Sequence, residues 1–287
     1  MNTNYKRPKL IDSFLFFNEV DLLKVRLEYL GPIVDYFIIV EANIDFSGEK
    51  KEFILSNELL ASLPFSNKIL YYKKEVNFDS FYWILKKLRY WNRRSSLLWK
   101  LQDAQRNSLL EPLKAFKDHD LIIFSDLDEF PSIDAIKYFQ NKKNKDTLRR
   151  DPQIYSCKQL FYCYNLNHIK TNGIFYGTLL TDLKSFRSLM PHKIKSNKNN
   201  YEHIEDGGWH FSYFMTIEKI QEKIHAISDV ENLSNFKKLN QQEIRHKILN
   251  SMELFDRHLI ASPDSANEIP KNLREILKKY IPNCVEL

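Results

Sequence analysis

Three carboxylates, Asp126, Asp128 and Glu129, follow directly on the apolar run Leu121-Ile122-Ile123-Phe124. A short run with β-branched members reads as a strand buried on both faces, and Pro131 just beyond forbids it from continuing. The acids are thereby delivered to one strand tip. In open α/β sheets ligands bind outside the carboxyl ends of the strands, where hard oxygen donors at i and i+2 can share a divalent cation or one of its waters. The competing reading is a solvated acidic turn capping the helix expected from Ser132. A buried strand rarely ends in three acids without a cation or a basic partner, which favours a cation site.

The elements that hold these acids are legible in order. Leu10 to Phe17 reads as a buried strand, Asn18 as the N-cap of an amphipathic helix through Leu30, and Gly31-Pro32 as its stop. Asp35 to Glu41 is a second buried strand, followed by the polar, turn-rich loop Ala42 to Lys51. Ile69 to Tyr72 is a third strand, and Phe81 to Phe116 is mostly helical and basic, punctuated by Pro112. Strands alternating with helices predict an α/β fold with a mainly parallel sheet, its first, second and acidic strands ending at one crevice. A charged helix then runs to about Lys145, and Ile154 to Asn165 and Gly173 to Thr181 are aromatic-rich strands of an antiparallel annex. The low-complexity run Lys193 to Asn200 (KIKSNKNN) reads as a mobile loop, Gly207-Gly208-Trp209-His210 opens another ordered element, and the chain from Ile217 is helical and charged. Without a linker or repeat, one domain is expected: a parallel part over about 8–150, an annex over about 151–225 and C-terminal helices over about 226–287.

Composition narrows the function. The 287 residues are 43% hydrophobic, enough for a sizeable core, and only six are glycine, which excludes Gly-rich phosphate loops of the Rossmann and P-loop kinds. A net charge of +6 suits an anionic partner without choosing among nucleotide, lipid phosphate and nucleic acid. Cys157, Cys163 and Cys284 lack CxxC spacing, which argues against a disulfide framework and a zinc site and for a reducing compartment. The basic N-terminus makes a poor signal peptide because Asp12 and Ser13 interrupt its apolar stretch, and no run approaches about 20 apolar residues. A cytoplasmic protein is expected.

Five segments carry a resemblance: FFNEVDLL at Phe16 to Leu23, IIVEANIDFSG at Ile38 to Gly48, QRN at Gln105 to Asn107, SDLDEFP at Ser125 to Pro131 and GGWHFSYF at Gly207 to Phe214. Together, in this order, they make the chain resemble glycosyltransferase family 17, which includes the enzyme adding bisecting N-acetylglucosamine to N-glycans. The resemblance implies a GT-A fold, a nucleotide-sugar donor such as UDP-GlcNAc bound through Mn²⁺ or Mg²⁺, and transfer with inversion at the anomeric centre. It matches Asp126 and Asp128 to the family's DxD, Glu129 and Pro131 to the acid and proline that follow, and His210 to its GWH histidine. Phe130 stands where isoleucine is frequent, and the membrane anchor of the Golgi enzymes is missing. A glycoprotein acceptor is therefore less expected than a saccharide or lipid-linked saccharide, with peripheral membrane association in the lipid-linked case and no nucleic-acid partner.

Displacing a nucleoside diphosphate builds negative charge on the leaving phosphate, which a divalent ion held by carboxylates answers directly. Asp128 is the expected direct ligand, Asp126 reaches the ion through water or holds the ribose, and His210 adds a nitrogen that favours Mn²⁺. Arg106 and Asn107 suit the diphosphate and the base or ribose, while Glu19 and Glu41 suit either the nucleotide pocket or plain capping roles. Arg93, Arg94 and Lys100 read as a solvated helix face. For the base that takes the acceptor's proton the candidates are Asp206, Glu205 and Glu129, with Asp206 first because Gly207 and Gly208 permit close approach of substrate. Trp209, Phe211 and Tyr213 suit stacking on a sugar or packing in a strand's core. Two rivals stand beside this reading. An apolar strand ending in Asp-x-Asp is also the nucleophile motif of haloacid-dehalogenase-type phosphatases, although that motif normally opens the chain. A basic RNA-binding or interaction module would need neither acid.

Overall fold

A computed structural model describes residues 7–46, 48–76, 94–145, 152–170, 175–226, 239–254, 260–261 and 263–284. Strand β1 (Leu10–Phe16), helix α1 (Val20–Leu30) and strand β2 (Tyr36–Ala42) form the expected β-α-β start, with Glu19 rather than Asn18 at the N-cap position. Next come α2 (Asn57–Ser62), β3 (Ile69–Lys74), α3 (Arg94–Asn107), α4 (Leu110–Leu113), β4 (Leu121–Phe124), β5 (Glu129–Pro131) and α5 (Ile133–Lys145). The annex holds β6 (Tyr155–Cys163), β7 (His168–Ile169), β8 (Phe175–Asp182), α6 (Leu183–Leu189), α7 (Pro191–Ser196), β9 (Glu202–Ile204) and β10 (Gly208–Ser212). The C-terminal part is helical, with α8 (Ile217–Ala226), α9 (Gln241–Leu249) and α10 (Lys271–Tyr280), and adds the short strand β11 (Ile260–Ala261).

The sheet runs β11-β7-β6-β8-β4-β1-β2-β3. Its β3-β2-β1-β4 portion is parallel, so the carboxyl ends of β1, β2 and the acidic strand β4 share one edge. The direction reverses at β8, which runs antiparallel to both β4 and β6. Strand β10 lies parallel to β6 and antiparallel to β5, which brings GGWH against the end of SDLDEFP. Alternate residues of β4 enter opposite cores, Leu121 and Ile123 on one face and Ile122 and Phe124 on the other. That two-sided burial is why the strand reads as a continuous apolar run.

One charge lies at the centre of this arrangement. The Arg26 side chain is fully buried on α1, with its Nε and Nη2 each 2.7 Å from an oxygen of Asp12, also fully buried, in β1. Its remaining donors reach the acid loop, from Nη2 to the Ser125 hydroxyl at 2.6 Å and from Nη1 to the carbonyls of Glu129 at 2.7 Å and Leu127 at 3.3 Å. The guanidinium lies over the rings of Phe14 and Phe130. All five donors are used, which is what lets a charge persist without water.

The run Lys193 to Asn200, expected as a mobile loop, is instead α7 followed by a 3-10 turn over Lys198–Asn200. Pro191 starts the helix with its preset φ, and Ile194 is fully buried, so composition misleads where a single apolar anchor suffices. Replacing Arg26 by Met should destabilise the protein by about 3–5 kcal/mol, because Asp12 is left buried without its partner. Urea unfolding followed by circular dichroism measures this, and a loss under about 1 kcal/mol would contradict the role given to Arg26.

Candidate active site

A cavity of about 370 Å³ opens at the tips of β1 and β4, lined among others by Glu19, Arg106, Asp126, Asp128, Glu129, Lys198, His210 and Lys223. The acids come from the turn between β4 and β5, which Arg26 holds from behind by backbone carbonyls, so the Asp126 and Asp128 side chains are left to face the cavity. Glu129 is buried and stiffens the same turn by accepting from the Asp126 amide at 2.9 Å.

Each acid is met by a cation. Lys223 of α8 lies 2.9 Å from Glu19 Oε1 and 3.1 Å from Asp128 Oδ2. Lys195 of α7 lies 2.5 Å from Glu129 Oε2 and 3.2 Å from Asp126 Oδ2, and Arg106 of α3 approaches Asp126 Oδ1 to 3.9 Å. Lys198 completes the basic rim, its ammonium 4.2 Å above the Phe175 ring. These charges set the ionisation of the site. Burial opposes the charge on Asp128, but Lys223 and His210 outweigh it and hold its pKa well below the usual carboxylate range. Burial likewise opposes the Asp126 charge, and Lys195 and Arg106 hold its pKa down. The Lys223 pKa is raised, since Asp128 and Glu19 overcome the cost of burial, whereas burial lowers that of Lys198.

Strand parity decides which part of GGWH enters. His210 lines the cavity while Trp209 and Phe211, its neighbours on β10, pack into the core beside Phe130. His210 Nε2 stands 3.5 Å from Asp128 Oδ1. Its ring is oriented by Phe175 and Phe161, with centroids at 4.2 and 4.7 Å, and Nδ1 is buried with no hydrogen-bond partner among the described residues. Also among the described residues, no three His, Cys, Asp or Glu side chains gather into a metal-holding group. The Asp128 and His210 pair nevertheless fits an ion of the Mg²⁺ or Mn²⁺ kind, which takes one or two protein ligands and completes its shell with substrate phosphate and water.

The model of the family described as Glycosyltransferase family 17 matches residues 2–281, nearly the whole chain. The chain belongs to glycosyltransferase family 17. It is therefore an enzyme that moves a sugar from a donor to an acceptor. A crystal structure of 4-diphosphocytidyl-2C-methyl-D-erythritol synthase is similar at a TM-score of 0.36 and 10% identity, over 72% of this chain and 90% of that one. No curated protein matches. Among the described residues, no helix of this glycosyltransferase is long and apolar enough to cross a membrane.

Of the expected site residues, Glu19, Arg106, Asp126, Asp128, Glu129 and His210 meet in this cavity. Four others do not. Glu205 and Asp206 line a separate cavity with Tyr29, Asp134, Tyr138 and Trp209, where Glu205 pairs with Lys158 at 2.7 Å. Asn107 docks α7 onto α3, its Oδ1 lying 3.2 Å from the His192 amide nitrogen and 2.9 Å from His192 Nδ1. Glu41 is fully buried and accepts from Lys51, Tyr71 and the amides of Ile54 and Leu55, so it anchors the chain after β2. Lys100 is exposed on α3 as expected, Arg94 begins that helix, and Arg93 lies outside the described residues. Tyr213, expected to stack on sugar or pack in a core, is buried in a core with Phe161 and Tyr164 and also borders the cavity, at φ +58, while Gly207 and Gly208 pack closely against the neighbouring strands.

Sequence reasoning missed Lys195, Lys198 and Lys223. The first two sit in the low-complexity run and the third in a charged helix, where a lysine carries no signature. Lys195→Met should lower stability by about 3–5 kcal/mol, since Glu129 is left buried and unpaired. Chemical denaturation checks it, and wild-type stability would remove Lys195 from the support of the acid turn.

Proposed function

We propose that this glycosyltransferase moves N-acetylglucosamine from UDP-GlcNAc to a hydroxyl of a saccharide or lipid-linked saccharide, with inversion and with Mn²⁺ or Mg²⁺. The observation that carries the reading is one cavity in which Asp126 and Asp128 meet Arg106, Lys198 and Lys223, with Lys195 buried behind Asp126. Cations alone would suit a bare phosphate and acids alone a bare metal. Both together suit an anion that arrives with its own divalent ion. The parallel order β3-β2-β1-β4 with the acids beyond β4 supports a GT-A-like arrangement.

Asp128 and His210 would hold the ion, which when bound offsets charge developing on the leaving diphosphate. Arg106, Lys198 and Lys223 direct further positive charge at the same oxygens, and Asp126, whose side chain is 43% exposed, is left to a ribose hydroxyl or a water. The acceptor oxygen attacks the anomeric carbon as the bond to the diphosphate oxygen breaks, and its proton passes to a carboxylate. Of the three considered for that role, Glu129 lines this cavity, and its Oε2 is held by Lys195 and the Asp126 amide. On its place in this cavity we take Glu129 as the base.

UDP-GlcNAc at about 100 times its Kd should stabilise the protein by about 2.7 kcal/mol in a Mn²⁺-dependent way. A thermal-shift panel of UDP- and GDP-sugars, with and without Mn²⁺, tests donor and metal together; a metal-independent response to every donor sinks the metal reading. Asp128→Asn should lower transfer by about 10³-fold. Glu129→Gln should cost about 10² to 10⁴ in rate with donor affinity retained, while Asp206→Asn stays near wild type. Near wild-type transfer by Glu129→Gln alongside a dead Asp206→Asn would return the base to Asp206.

A further inference from the structure

The reach of Lys223 has a consequence for how the ion enters. Its ammonium touches Asp128 at one oxygen while His210 stands at the other, so Asp128, the assigned ligand, already has a counter-charge. Glu19, at the N-cap of α1 just beyond β1, holds the same ammonium at 2.9 Å. A divalent ion at Asp128 would stand beside this ammonium, and two like charges in a mostly buried cavity repel strongly. The repulsion is relieved when a diphosphate supplies acceptor oxygens within reach of a side chain still tethered by Glu19.

We propose that Lys223 is the resident counter-cation of the metal site: it is shared by Asp128 and Glu19 until donor arrives, then transfers from Asp128 to the diphosphate, so that ion and nucleotide bind well only together. This rests on the metal-dependent reading above. Coupling of this kind is reciprocal, so the ion tightens the nucleotide by the factor by which the nucleotide tightens the ion.

Mn²⁺ binding to the full-length protein, followed by the electron paramagnetic resonance signal of the free ion, tests it without recourse to activity. Wild type should bind Mn²⁺ weakly alone and tightly with UDP. Lys223→Gln should bind Mn²⁺ alone about tenfold more tightly, equivalent to about 1.4 kcal/mol, and UDP less tightly, while Lys223→Arg keeps the wild-type pattern. Unchanged or weaker Mn²⁺ binding by Lys223→Gln overturns the role of Lys223 alone. If wild type takes up no Mn²⁺ even with UDP, the metal reading falls and this inference with it. A wild-type crystal structure with Mn²⁺ and UDP decides the matter should the variant not fold: Lys223 Nζ must leave Asp128 for a phosphate oxygen, and its remaining on Asp128 overturns the proposal.

Discussion

The buried guanidinium of Arg26 is the constraint on which the site depends. It joins β1, α1 and the acid turn through side-chain and backbone acceptors at once, so none of the three can move without exposing an unpaired donor or the Asp12 charge. A turn between two short strands is ordinarily adaptable. This one is fixed by carbonyls at Leu127 and Glu129, on either side of Asp128. Because the attachment is to the backbone, the carboxylates themselves remain available to ligand. Desolvating such a pair costs much of what its attraction returns, so its main effect is to specify one geometry for the turn.

The cavity in front of that turn follows a different logic. Its acids and cations alternate, Glu19 and Asp128 sharing Lys223 while Asp126 and Glu129 share Lys195, so burial is tolerated without any group standing alone. The cations are not on the sheet. They come from α3, α7 and α8, elements attached to the rim, whereas the acids belong to strand ends and the turn between them. The ion pairs thus join the rim elements to the edge of the sheet. Asn107 belongs to this scheme as the clasp between α3 and α7, a supporting task that its place in the QRN motif did not disclose.

What was legible in the sequence is what has a period or a motif. The buried strands announced themselves through apolar runs, and their order gave the parallel portion and the strand tip where the acids sit. The lysines were illegible because a lysine drawn into a site by a distant acid has the same local sequence as one in solvent. Arg26 was illegible for the same reason, since VDLLKVRLEYL shows a charge on an amphipathic helix and not its burial. Asp206 lies apart from the acids for a different reason. Sequence adjacency to Gly207-Gly208 suggested that it shared their site, yet the turn from β9 into β10 carries it to a cavity on the other side of the strand.

That last case turns on register. In β10 successive side chains alternate between faces, so a shift of one residue would send Trp209 to the acids and His210 into the aromatic core. The pairing that prevents it sets His210 opposite Glu129, Trp209 opposite Phe130 and Gly208 opposite Pro131. Gly208 is the residue that admits this register: its φ is +126, and a Cβ there would lie 2.0 Å from the Phe130 carbonyl oxygen. Only glycine combines that backbone angle with that approach. Gly207 meets the neighbouring strand in the same way, its Cβ position lying 2.7 Å from the Cys157 Cβ. The two glycines thus bring β10 close to β5 and β6, the indole and phenyl rings on one face hold it there, and the histidine on the other face is delivered to Asp128. GGWH reads as one device whose parts face opposite sides of a strand, with His210 the residue that it turns toward the acids.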